Sequence, residues 1–183
     1  QLAAPPTPTP SVTPTAPPVP TIVTLQRGLN GYTGVQDTYL HSLYPDTNYN
    51  TRSTMSIRPA QISSLIRFEL QNYVPANATI QKAMLYLYAA SSGGNLMTSD
   101  IYKVLRPWNA AQATWRLAGS GTPWAVAGCD GVGTDRASTL VDRERMHTAN
   151  GWYTYNVSDL VREWIADPGS NYGVVVKSYY HTA

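Results

Sequence analysis

Cysteine, phenylalanine and charge are all scarce in this 183-residue chain, which holds one Cys, one Phe and 13% charged residues. A lone Cys129 excludes an internal disulfide and a cysteine-built metal cluster. The net charge is +2, and Arg27, Arg52, Arg58 and Arg67 are dispersed among other residues. No basic stripe of the kind that tracks phosphates results, so nucleic acid is not an expected partner. No run approaches the roughly 18 uninterrupted apolar residues that span a bilayer, and a soluble protein is expected.

Catalytic signatures are equally sparse. His41, His147 and His181 lie far apart, without metal-ligand spacing. A nucleophile elbow, a P-loop and a dinucleotide fingerprint are all absent. Glu69, Glu144 and Glu163 are too scattered to nominate the facing carboxylates of a glycosidase. The expectation is a non-enzymatic protein. A polysaccharide-active enzyme working with Tyr and His stands as the third reading, since the composition is rich in tyrosine.

What is present begins with proline. Eight of the first twenty residues are Pro, with several Thr and no charge. Proline fixes φ and removes a backbone donor, so residues 1–21 read as an extended, polyproline-II-favouring tail that precedes a folded domain over 22–183. Thr7, Thr9 and Thr13 are candidate O-glycan sites, and Asn77-Ala-Thr and Asn156-Val-Ser match the N-glycan acceptor pattern. The chain starts at Gln1 with no basic or apolar leader, as a secreted protein does after signal cleavage. An extracellular or cell-surface location follows as an expectation.

From Pro20 onward, short β-rich runs alternate with turn signals. They fall at Thr21–Leu25, Asp37–Leu40, Ser64–Leu70, Lys82–Ala89, Ile101–Leu105, Gly151–Val157 and Gly173–Tyr180. In Met84–Tyr88 the leucines and tyrosines alternate, so Leu85 and Leu87 share one face and Tyr86 and Tyr88 the other. One helix is expected from Ser158, with Ser158 as its cap, Asp159 in its first turn, and Leu160, Val161, Trp164 and Ile165 as its apolar stripe. Asp167-Pro168-Gly169 ends it. Trp164 reads as core. The fold class is all-β, a jelly-roll-like β-sandwich with one short helix behind the extended tail.

Thirteen tyrosines and five tryptophans suit strand surfaces, and equally suit sugar contacts or subunit interfaces. Trp108 and Trp115 sit in motif-like segments and read as packing residues. Trp124, after Gly121-Thr122-Pro123, reads as the exposed glycan candidate, with Tyr86 and Tyr88. Asp37, Asp130 and Asp135 lie in or near expected loops and are candidate calcium ligands, with turn hydrogen bonds and an Asp135–arginine pair as the alternative. No other cofactor is implied.

Between Val23 and Lys177 a series of segments recurs in a characteristic order. They are Val23-Thr-Leu-Gln-Arg-Gly-Leu-Asn-Gly-Tyr, Asp37-Thr-Tyr-Leu, Leu65-Ile-Arg-Phe-Glu-Leu and Pro75-Ala-Asn-Ala-Thr-Ile. Tyr102-Lys-Val-Leu-Arg-Pro-Trp, Ala113-Thr-Trp, Gly133-Thr-Asp-Arg, Val157-Ser-Asp-Leu-Val and Asn171-Tyr-Gly-Val-Val-Val-Lys follow. In this order they resemble the DNRLRE-type β-sandwich domain of secreted bacterial and archaeal proteins, some relatives of which are alginate-binding modules. In that family a further strand follows the segment matching Val174–Lys177, and this sequence departs from the pattern by stopping at Ala183. The resemblance thus implies a sandwich lacking its last strand, or a truncated one.

An open edge recruits other chains. Val19, Pro20, Thr21, Ile22 and Val23 are therefore the expected interface through which the tail complements a neighbouring copy, building a filament or surface array. The alternative is a carbohydrate-binding or adhesion module on a Pro/Thr linker, with polysaccharide as partner.

Overall fold

The structure is a computed structural model, which describes residues 19–91, 96–146 and 150–180. Its centre is a five-stranded antiparallel sheet of order β1-β2-β9-β4-β7. These strands are β1 (Val35–His41), β2 (Ile62–Phe68), β4 (Met97–Val104), β7 (Arg136–Met146) and β9 (Val174–Tyr180). A second antiparallel pair joins β3 (Met84–Ala89) to β8 (Gly151–Asn156). The short β5 (Leu117–Gly119) and β6 (Thr122–Pro123) pair with each other. With the single helix α1 (Ser158–Ala166), the architecture is the all-β sandwich expected.

The central sheet is buried on both faces, which is why Val174-Val175-Val176 is a continuous apolar run without alternation. Val174 and Val176 pack with Ile66, Ile101, Leu85, Tyr155 and Trp164 on the side of β3, β8 and α1. Val175 packs with Leu65, Leu40, Trp108, Trp124 and Cys129 on the opposite side. The second cover is the 105–135 segment, folded back over the sheet. Just before β9, Gly173 has φ +74 and lies against the backbone of Ile66 and Arg67. A Cβ has no room there and the left-handed conformation favours glycine.

Three expectations change. Thr21–Leu25 is not a strand, because no neighbouring strand pairs with it among the described residues. The eleven-residue β7 was not expected from the sequence. Ser158 opens the helix but does not cap its amides. Its hydroxyl donates to Asn156 Oδ1 at 2.6 Å and accepts from the Ala83 amide at 2.9 Å, tying the helix start to β3. The apolar stripe is as read: Leu160 and Trp164 are buried, and Val161 and Ile165 are partly so.

Candidate functional site

Strand alternation sorts the β3–β8 pair into two faces. Leu85, Tyr153 and Tyr155 point into the core, where the Tyr155 hydroxyl donates to Ser99 Oγ at 2.8 Å. Burial pushes the Tyr155 phenol up to about 12, against the opposing pull of that hydrogen bond. The outer face carries Tyr86, Tyr88 and Trp152, which are 59%, 50% and 66% exposed. Tyr88 and Trp152 are register partners, with ring centroids 5.2 Å apart and a 60° tilt. Thr154 lies across from Tyr86. Large rings held open to solvent on a sheet can stack on the faces of sugar rings, and their N–H and O–H tips can reach hydroxyls.

Trp124 does not join this face, which corrects the sequence reading. It is 4% exposed, packs in the cluster of Leu40, Val104 and Cys129, and its indole donates to the Thr114 carbonyl at 3.0 Å. The Gly-Thr-Pro turn before it belongs to the β5–β6 hairpin, which folds inward onto the sheet. Trp108 packs as expected, donating to the Tyr172 carbonyl at 2.7 Å.

The candidate calcium ligands do not converge. Asp37 lies in β1 and pairs with Arg27. Asp130 and Asp135 share the 124–136 loop, where the protein engages both oxygens of Asp135 and Oδ1 of Asp130. Asp135, fully buried, accepts from the amides of Ala125, Val126 and Gly131 at 2.9–3.0 Å and from Arg106 at 3.2 Å. Burial alone would raise its pKa, but the three amides and Arg106 outweigh it and hold the carboxyl below its ordinary value. Asp130 accepts two bonds from Arg136 and lies 3.3 Å from Lys177 Nζ. Lys177 is buried, donates also to Ser63 Oγ at 3.0 Å, and has its pKa lowered by desolvation, against the opposing pull of Asp130. This network anchors the cover over the second core. Among the described residues no three His, Cys, Asp or Glu side chains are grouped to hold a metal ion.

Cys129 is buried in the same cover, and desolvation raises its thiol. His41 Nδ1 accepts the Leu43 amide at 3.1 Å. His147 and His181 lie outside the described residues, as do Thr7, Thr9 and Thr13. Asn77 is exposed in the 71–80 loop. Asn156 is engaged through Oδ1 with Ser158. Of the expected tail interface, Val19 and Ile22 are 87% and 90% exposed, and Pro20, Thr21 and Val23 are exposed as well. None of the five is in a strand. β3 and β8 pair only with each other among the described strands, and β8 is approached by β7, whose Asp142 accepts the Asn156 amide at 2.6 Å. No described helix is long and apolar enough to cross a membrane.

A family model described as the Disaggregatase related repeat domain matches residues 37–182. Among the described elements the match covers β2 to β9, the helix and all but the first two residues of β1, and leaves the Pro/Thr-rich tail outside. No curated protein matches the chain. The family found is a repeat-domain family, whose description names no catalytic role for the domain. The likeness to the DNRLRE-type domain rests on the sequence segments alone.

Proposed function

We propose, from the premise that this chain belongs to the disaggregatase related repeat domain family, that it is a non-enzymatic extracellular structural subunit. Its role is to assemble with copies of itself through its N-terminal segment. The observation that carries this reading is the pairing of two features. One is a layer of two described strands in which β3 pairs with β8 alone. The other is an apolar, strand-competent segment, Thr21-Ile22-Val23, left exposed and unpaired just after the prolines. Unpaired edges add strands from other chains, and a contact between two different surfaces of one protein propagates head to tail.

The experiment is deletion of residues 1–22, followed by light scattering across a concentration series. The variant is expected to stay monomeric where the full chain grows. Equal growth of both proteins would end the reading.

The outer aromatic face favours a second activity for the same subunit, retention of polysaccharide on Tyr86, Tyr88 and Trp152. Sugar-stacking platforms need two or three exposed rings on one surface, and this face has three. Pull-down on neutral and uronate polysaccharides tests it. Loss of retention in Trp152→Ala supports it, and no retention of the full chain on any of them removes it.

A further inference from the structure

Two adjoining hollows of about 320 and 190 Å³ form one groove between the 69–76 loop and the end of α1. Both share Leu70, Gln71, Trp164 and Pro168. The larger is lined wholly by uncharged residues, among them Tyr73, Val74 and Pro75. Trp164 is 7% exposed, and its indole N–H is buried with no hydrogen-bond partner among the described residues. The other two buried tryptophans each donate to a backbone carbonyl. A buried donor left without an acceptor costs free energy, and among the described residues Trp164 is the one buried indole in that state.

We infer that this groove receives the Pro/Thr-rich tail of a neighbouring copy, residues 1–18, with its prolines seated against the rings of Trp164 and Tyr73. The inference rests on the assembly reading and assigns it a receptor. Proline-rich segments dock as polyproline II in grooves lined by aromatic rings, giving up little entropy because the helix is preformed. The tail carries three Pro-x-x-Pro spacings, Pro5–Pro8, Pro14–Pro17 and Pro17–Pro20, and no charged residue, which suits the larger hollow, lined by uncharged residues alone, while Arg67 and Glu69 line only the smaller one. It is also poor in the N–H donors that strand addition needs, so groove docking suits the prolines and edge pairing suits Thr21–Val23.

The chain joins the fold beside the groove. Tyr32 packs edge-on against Tyr73 with centroids 4.6 Å apart, and its hydroxyl donates to the Glu69 carbonyl. From there back to Val19 only Leu25 is partly buried, against the first core, and Arg27 pairs with Asp37; the rest is exposed, with no turn from Val19 to Gln26. A polyproline II arm of this length reaches about 55 Å, against a radius of gyration near ~15 Å for a domain of this size. With residues 19–26 free of turns, an arm of that reach meets another molecule more readily than its own groove.

The test uses full-length protein with Pro5, Pro8, Pro14 and Pro17 changed to Ala, to which a synthetic peptide of residues 1–20 is added. The readout is the ¹⁵N–¹H resonance of the Trp164 indole, assigned by its loss in Trp164→Phe. The peptide is expected to move that resonance and leave the Trp152 indole in place. Trp164→Phe is expected to weaken peptide binding about fivefold, through the smaller ring surface left to stack on the prolines. If Trp164→Phe does not fold, Tyr73→Ala on the groove rim should weaken binding instead.

An unmoved Trp164 indole, or the same movement with a peptide whose prolines are Ala, overturns the groove. A Trp164 shift in the wild-type chain that is independent of protein concentration places the arm in its own groove and overturns the intermolecular assignment. Peptide binding at Trp164 in a protein whose full chain never assembles leaves the groove standing and removes the assembly reading.

Discussion

At the scale of single residues, Asp135 shows how a buried charge can hold a fold together. It has no exposure, yet three amides and one guanidinium surround its carboxylate. Removing it orphans all of them. Asp135→Ala is expected to cost about 3–5 kcal/mol, read as the shift of the urea midpoint. The sign of the pH dependence follows from a native pKa held below the ordinary value. Between the native and unfolded pKa values the unfolded chain binds more protons, so the contribution is complete above about pH 4 and is lost as pH falls through the native value. The stability gap between wild type and Asp135→Asn should therefore be widest near neutral pH and close below about pH 4.

Trp124 and Trp152 mark what could be read at this scale and what could not. A Gly-Thr-Pro turn before Trp124 signals a loop tip, but whether a loop lies open or folds onto a sheet is decided by tertiary packing. Trp152 was passed over in favour of Trp124, although β8 alternation puts it out of phase with Tyr153 and Tyr155. Pairing Trp152 with Tyr88 required the strand register. Trp124→Ala should cost about 3–5 kcal/mol as a core deletion. Trp152→Ala should change stability by no more than about 0.5 kcal/mol while altering polysaccharide retention. Thermal melts set beside pull-downs separate the two.

At the scale of elements, apolar strands were the legible ones. β2, β3, β8 and β9 carry apolar or alternating runs, and the helix carries its stripe. β7 was hidden because it is an edge strand and reads as charge: Asp142-Arg143-Glu144-Arg145 lies within it. Charged edges are how sheets discourage unwanted pairing. Arg143 also reaches across to the fully buried Asp100, with bonds of 2.6 and 2.7 Å. Thr21–Leu25 misled in the opposite direction, since β-propensity without a partner strand makes no strand. The contrast between the two edges is informative, because β3 and β8 hold tyrosines and tryptophan where β7 holds charge. Gly173→Ala, at the crowded entry to β9, is expected to lower the melting temperature by several degrees, because φ +74 and the neighbouring Ile66 backbone both exclude a side chain.

At the scale of the whole molecule, a five-stranded sheet covered on both faces makes a stable body, while among the described strands β3 pairs with β8 alone and residues 19–23 lie exposed. The tail was conspicuous in the sequence through its prolines. Its proposed receptor was not, because the groove exists only where the 69–76 loop meets the end of a helix about ninety residues further along the chain. Assembly through the tail accounts for both features with one partner, a second copy. The most direct measurement is an electron micrograph of the purified full-length chain. Filaments or arrays of one repeating subunit are the result this account predicts, and a field of single, unassociated domains at high protein concentration would contradict it.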